Sequence, residues 1–120
     1  MHALIIEQDA WVVLMIEDAL GDLGYTSFDV AGTDAEALAM AGRRCPDLIT
    51  SDVRLGASCG IETVRSICSS RYIPVVFVTA TGWEVRKRSK ELTLVQKPFQ
   101  ADDLKAAIAK AVSLPPAQPW

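Results

Sequence analysis

No apolar run in this chain approaches the roughly 20 residues needed to cross a bilayer, and the first residues carry no basic segment followed by an apolar signal core. A cytoplasmic protein with no membrane partner is therefore expected. Cysteine is scarce: Cys45, Cys59 and Cys68 are widely spaced and form no CxxC pair, which argues against a zinc site or a full disulfide framework. They read as small core or loop residues in a reducing compartment. Positive charge is also short, with 12 Lys and Arg against 15 Asp and Glu and a net charge of −3. Direct nucleic-acid binding is not expected, because a phosphate backbone calls for a concentrated positive surface. Repeats and low-complexity segments are absent.

What remains is a chain of 120 residues, half of them apolar, long enough for one domain with its own core. Strand-like and helix-like runs alternate along it. A strand over Ala3 to Ile6 precedes a helical pattern from Trp11 to Leu23, with Val12, Met15, Ile16, Ala19, Leu20 and Leu23 on one face. Asp9 stands at the capping position and Gly24 at the stop. Thr26 to Ala31 reads as a strand in which Phe28 and Val30 alternate with polar neighbours. Thr33-Asp34-Ala35-Glu36 fits a capping box opening a helix that reaches about Arg43. Asp47 to Asp52 is a third strand, and Gly56 to Gly60 a loop of small residues. A helix follows with Ile61, Val64, Ile67 and Cys68 as its apolar stripe.

Ile73 to Thr79 is rich in β-branched residues and reads as an interior strand covered on both faces. The short run Trp83 to Glu91 carries Arg86, Lys87, Arg88 and Lys90, which reads first as a solvated face. Thr93 to Gln96 is the last strand. A final helix from about Ala101 places Asp102 and Asp103 in its first turn and buries Leu104, Ile108, Ala111 and Val112. Five βα units with short connections imply an α/β fold, a parallel sheet with helices on both faces. Residues 1–114 would be the domain and 115–120 a Pro-rich tail.

Four of these strands end in polar or charged residues: Glu7-Gln8-Asp9, Asp52, Thr79 and Lys97. In an open, doubly wound parallel sheet, ligands bind outside the carboxyl ends of the strands, so this topology gathers the four endings. Carboxylates beside an ammonium and a hydroxyl suit phosphoryl transfer. Carboxylates hold a hard cation such as Mg²⁺ together with water and phosphate oxygens, and a carboxylate can itself be the nucleophile.

Leu4-Ile5-Ile6-Glu7, Asp47 to Leu55, Val78-Thr79-Ala80 and Lys97-Pro98-Phe99, in this order and spacing, resemble the receiver domains of bacterial response regulators, the CheY-like family. The resemblance spans nearly the whole chain. It implies a flavodoxin-like, five-stranded sheet in the order 2-1-3-4-5. It further implies that Asp52 accepts a phosphoryl group from a histidine kinase or phosphotransfer protein. Mg²⁺ would be held by Glu7, Asp52 and the main-chain carbonyl of Arg54, with Gln8 or Asp9 as a further donor. Thr79, Ala80 and Lys97 would bind the phosphoryl group and switch.

The pattern is broken in places. Gln8 stands where a second acidic residue is usual, Leu94 where an aromatic switch residue is usual, and Gly56 where a proline is usual, which predicts a more flexible loop. The segment between Thr79 and Lys97 is short, so its helix is expected to be stunted or missing.

The main expectation is a stand-alone phosphoacceptor switch, not an enzyme in its own right. It would signal to a protein target through its fourth helix, last strand and last helix, with a homodimer as a further partner. Its alternative is a degenerate receiver that binds a partner without phosphorylation. An aspartyl phosphatase is disfavoured, since Arg54 stands where such enzymes place a second Asp. The Arg54 guanidinium has two roles open to it, a phosphoryl contact or an exposed side chain.

Overall fold

The computed structural model describes residues 1–114; the tail expected at 115–120 lies outside the described residues. The elements run β1 (His2–Ile6), α1 (Ala10–Asp22), β2 (Ser27–Ala31), α2 (Asp34–Arg43), β3 (Leu48–Ser51), β4 (Arg54–Leu55), β5 (Ser58–Cys59), α3 (Gly60–Ile67), β6 (Val75–Thr79), α4 (Gly82–Arg88), β7 (Thr93–Gln96) and α5 (Ala101–Ser113). Five strands form one sheet in the order β2-β1-β3-β6-β7, every neighbouring pair parallel. This is the expected 2-1-3-4-5 order once the two short strands are set aside.

Successive residues of a buried parallel strand face opposite sides, so both sides must be apolar. Ala3 and Ile5 of β1 and Val76 and Val78 of β6 pack with Ile16 and Leu20 of α1 and Leu104 and Ile108 of α5. Their neighbours Leu4, Ile6 and Phe77 pack on the other side with Ala37 of α2, Ile61 and Val64 of α3 and Val85 of α4.

The caps explain where helices begin. Asp9 Oδ1 accepts from the backbone N–H groups of Trp11 (2.9 Å) and Val12 (3.4 Å). Thr33 Oγ1 accepts from Glu36 N at 3.1 Å, but Glu36 Oε1 returns to Gly32 N rather than to Thr33 N, so the box is displaced by one residue.

Several local expectations are corrected. The segment 56–60 is not an irregular loop: β4 and β5 pair antiparallel, with Leu55 opposite Ser58, and Gly60 opens α3. Gly56 turns this hairpin at φ +62°, a conformation closed to proline, whose ring fixes φ near −65°. The helix after Thr79 is present and stunted, as expected, at seven residues. Leu23, Val30 and Val112 are exposed: Leu23 is the C-cap beyond the last turn of α1, β2 lies at a sheet edge, and the apolar stripe of α5 is narrower than the sequence pattern. Within the basic run, Arg86 Nη1 donates to the carbonyls of Lys90 (3.1 Å) and Leu92 (2.6 Å), and Arg88 pairs with Glu62. Those two cations hold the end of α4 in place.

Two features of the core can be tested by unfolding. Thr50, fully buried in β3 between Ile5 and Val76, has a hydroxyl oxygen with no hydrogen-bond partner among the described residues. Thr50→Val keeps the shape and removes the unpaired group. It is expected to add about 1 kcal/mol in urea unfolding; an unchanged or lower midpoint refutes this. The Cys68 thiol is pushed up to about 11 by burial, against an ordinary value of 9.0, with the Cys45 thiol adding slightly and a backbone hydrogen bond from Ile73 opposing. The unfolded thiol ionises first, so stability intact below pH 9 is lost as pH rises toward 11. The loss is about 3 kcal/mol. Cys68→Ala must flatten this alkaline slope; parallel native and variant curves would contradict it.

Candidate functional site

The sheet ladder continues one residue beyond three strands. Glu7 N donates to Ala31 O (2.9 Å), Asp52 N to Ile6 O (2.9 Å) and Lys97 N to Thr79 O (2.8 Å). These bonds fix the Cα positions of Glu7, Asp52 and Lys97 at the carboxyl edge, where the parallel topology opens. Lys97 Nζ then reaches both acids, 2.7 Å from Glu7 Oε1 and 3.0 Å from Asp52 Oδ2. The Lys97–Pro98 peptide is cis.

The other carboxylate oxygens are held by backbone donors. Glu7 Oε2 accepts from the N–H groups of Gln8 and Asp9, both at 3.1 Å. Asp52 Oδ1 accepts from Val53 N at 2.7 Å and Arg54 N at 3.4 Å. Glu7 is 3 % exposed at its side chain and Asp52 16 %, so Asp52 is the acid that an incoming group can reach. Burial pulls the Lys97 ammonium down, yet the hydrogen bonds and charges of Glu7 and Asp52 outweigh it and hold the group above its ordinary value.

Gly60 supports Asp52 from behind. Its N–H donates to Val53 O at 2.5 Å, and a Cβ built on it would collide with the Asp52 carbonyl oxygen. Only glycine permits this approach.

Thr79 is buried beside the cluster, but its hydroxyl is engaged elsewhere: Oγ1 accepts from Thr81 N (3.1 Å) and lies 3.1 Å from Thr81 Oγ1. Thr81 Oγ1 donates to Glu84 Oε2 at 2.7 Å, and Arg54 Nη2 donates to Glu84 Oε1 at 3.1 Å. Gln96 clamps the same loop, donating to Ala80 O (2.5 Å) and accepting from Gly82 N (3.1 Å). Leu94, half-buried, abuts Gly82, where any Cβ would approach Leu94 Cδ1 to 3.2 Å. Thr81, Glu84 and Gln96 escaped the sequence reading. The small residues Ala80 and Gly82 flanking Thr81 are the one local sign of a loop held closely there.

The residues after Glu7 behave differently from one another. Gln8 Nε2 donates to Gly32 O at 3.0 Å, so its amide turns to the β2–α2 connection. The Asp9 carboxylate is spent as the cap of α1. The structure therefore joins Glu7, Asp52 and Lys97, keeps Thr79 at the end of β6 and Ala80 in the adjoining loop, turns Gln8 and Asp9 away, and directs the Arg54 side chain to Glu84. Among the described residues, no group of three or more His, Cys, Asp or Glu is arranged to hold a metal ion.

Removing the ammonium would leave Glu7 buried without its cation. Lys97→Ala should cost about 2 kcal/mol at neutral pH, below the value for a fully buried pair because Lys97 and Asp52 are partly wet. The deficit should shrink as acid protonates the carboxylates. Asp52→Ala, which leaves Lys97 on Glu7, should cost less. Chemical unfolding of both variants at neutral and acidic pH tests this; equal costs would refute it.

Residues 3–109 match the family described as the response regulator receiver domain. The transcriptional regulatory protein PdtaR of Mycobacterium tuberculosis is 32 % identical over 116 residues, which cover 93 % of this chain and 57 % of PdtaR. The solution structure of the PhyR receiver domain of Erythrobacter litoralis superposes with a TM-score of 0.87 at 29 % identity, covering 98 % of this chain and 95 % of that one. A crystal structure of the anti-anti-sigma factor PhyR of Bartonella quintana gives a TM-score of 0.81 at 33 % identity over 92 % of this chain and 46 % of that one. The chain spans about half the length of the curated relatives it matches. With a receiver match over most of its length and the acidic pair and lysine gathered at the carboxyl edge of the sheet, this chain belongs to the response regulator receiver domain family.

Proposed function

We propose that this receiver accepts a phosphoryl group on Asp52 and passes the change to a protein partner. The observation that carries this reading is the partly exposed Asp52 carboxylate held against the Lys97 ammonium at the carboxyl edge. A carboxylate oxygen of Asp52 attacks phosphorus, the bond to the donor breaks, and the leaving group keeps its electron pair. From a phosphohistidine the imidazole nitrogen leaves and takes up a proton. Lys97 supplies charge to the phosphoryl oxygens, and the backbone N–H groups of Val53 and Arg54 orient the carboxylate.

Mg²⁺ fits this site in part: Glu7, Asp52 and the main-chain carbonyl of Arg54 would hold it, and it would neutralise charge on the transferring group. The set is one carboxylate poorer than usual, since Gln8 faces Gly32 and Asp9 caps α1. Weak metal binding is expected. The donor class proposed is a histidine kinase or phosphotransfer protein, and the location the cytoplasm; no helix among the described residues is long and apolar enough to cross a membrane. One relative is named an anti-anti-sigma factor, which favours output by protein contact, through the surface of α4, β7 and α5. The orientation of Gln8 also favours a second reading, a receiver that binds its partner without phosphorylation.

Intact mass after incubation with acetyl phosphate, with and without Mg²⁺, separates the two. One phosphoryl group, lost in Asp52→Ala and dependent on millimolar Mg²⁺, is expected. No adduct under either condition, and none from a panel of histidine kinases, would favour the second reading.

A further inference from the structure

Arg54 and Glu84 belong to different elements, β4 and α4, and form an ion pair at 3.1 Å. Glu84 is held at both oxygens, by Arg54 Nη2 at 3.1 Å and by Thr81 Oγ1 at 2.7 Å. Thr81 in turn occupies the Thr79 hydroxyl, through its own N–H and its hydroxyl, both at 3.1 Å. A continuous chain of hydrogen bonds thus runs from the residue two beyond Asp52 to the buried hydroxyl at the end of β6. Every link is polar, and the Arg54 side chain is 65 % exposed, so the first link is made in a wet environment and is weak.

Resting on the phosphoacceptor reading, we propose that Arg54 and Glu84 are a positioning pair: a phosphoryl group on Asp52 takes the Arg54 guanidinium from Glu84, which loosens Thr81 and frees the Thr79 hydroxyl to turn toward the site. The exchange is driven by charge. Glu84 offers one negative charge to the guanidinium, whereas an acyl phosphate offers nearly two and three acceptor oxygens in a geometry that suits a planar fork. The backbone N–H of Arg54 lies 3.4 Å from Asp52 Oδ1, so the side chain starts beside the group it would bind. With Arg54 gone, the Glu84 carboxylate keeps one anchor instead of two and its side chain regains rotamers. The fixed acceptor that holds Thr81 is then lost. No bond is made or broken in this step beyond hydrogen bonds and one ion pair.

The two members of the pair have opposite expected effects, which a merely structural contact would not produce. Arg54→Ala removes a ligand of the phosphoryl group and should shorten its lifetime about fivefold, within the usual range of coupling between sites. Glu84→Gln removes the competitor and should lengthen it, and the double variant should behave like Arg54→Ala, because Glu84 acts through Arg54. Lifetimes are read by intact mass after acetyl phosphate is removed. In parallel, the Arg54 side-chain Nε–H resonance should shift when native protein is phosphorylated and stay in place in Asp52→Asn. An adduct on Asp52 with an unmoved Arg54 resonance, or lifetimes that change in the same direction in both single variants, overturns the exchange and leaves the phosphoacceptor reading standing. Failure of the native protein to form any adduct overturns both.

Discussion

One ammonium ties the working edge of the sheet together. Lys97 Nζ bonds Glu7 at the end of β1 and Asp52 beyond β3, and its own backbone continues the β6–β7 ladder. Two acids at this distance would repel each other, and burial would make each more costly to ionise. The ammonium removes both difficulties, which is why Glu7 can be buried at 3 % exposure. It also sets the resting charge of the site: two carboxylates and one ammonium leave a single net negative charge. The rest of the fold delivers these three side chains to one place, through three backbone hydrogen bonds made just past the strand ends.

The residues that follow Glu7 define how far that charge can be raised. In a site of this type a second acid beside the first would add a charge for a hard cation. Here Gln8 lends its amide to Gly32, and the next carboxylate, Asp9, already satisfies the first free N–H groups of α1. Moving Asp9 inward would uncap that helix, a loss of about 1 kcal/mol for a typical cap. The chain therefore uses helix-end chemistry and site chemistry on adjacent residues that cannot exchange duties.

Much of the architecture was legible because it rests on periodicity. The strand runs, the amphipathic faces of α1 and α5 and the Asp9 cap all follow from local spacing, and the carboxyl-edge rule then placed Glu7, Asp52 and Lys97 together. What escaped depended on direction or on very short range. The β4–β5 hairpin has strands of two residues each, too short for any alternation to register. The pairing of His2, whose ring lies 2.8 Å from Ser27 Oγ and 3.0 Å from Asp29 Oδ2, is a contact between strands brought together only by the sheet register. The path of the Arg54 side chain toward Glu84 likewise depends on where α4 docks, and nothing in the residues around position 54 encodes it.

The contact at Gly60 reaches beyond geometry. Because no side chain fits between this residue and the Asp52 carbonyl, and because Gly60 N is bonded to Val53 O, the first residue of α3 and the acceptor segment are packed backbone to backbone. A segment fastened in this way is held from the α3 side by main chain alone, so no side-chain rotation can loosen it. The carboxylate that faces the outside of the protein thus stands on backbone braced from both sides, by Ile6 O of β1 and by Gly60 of α3.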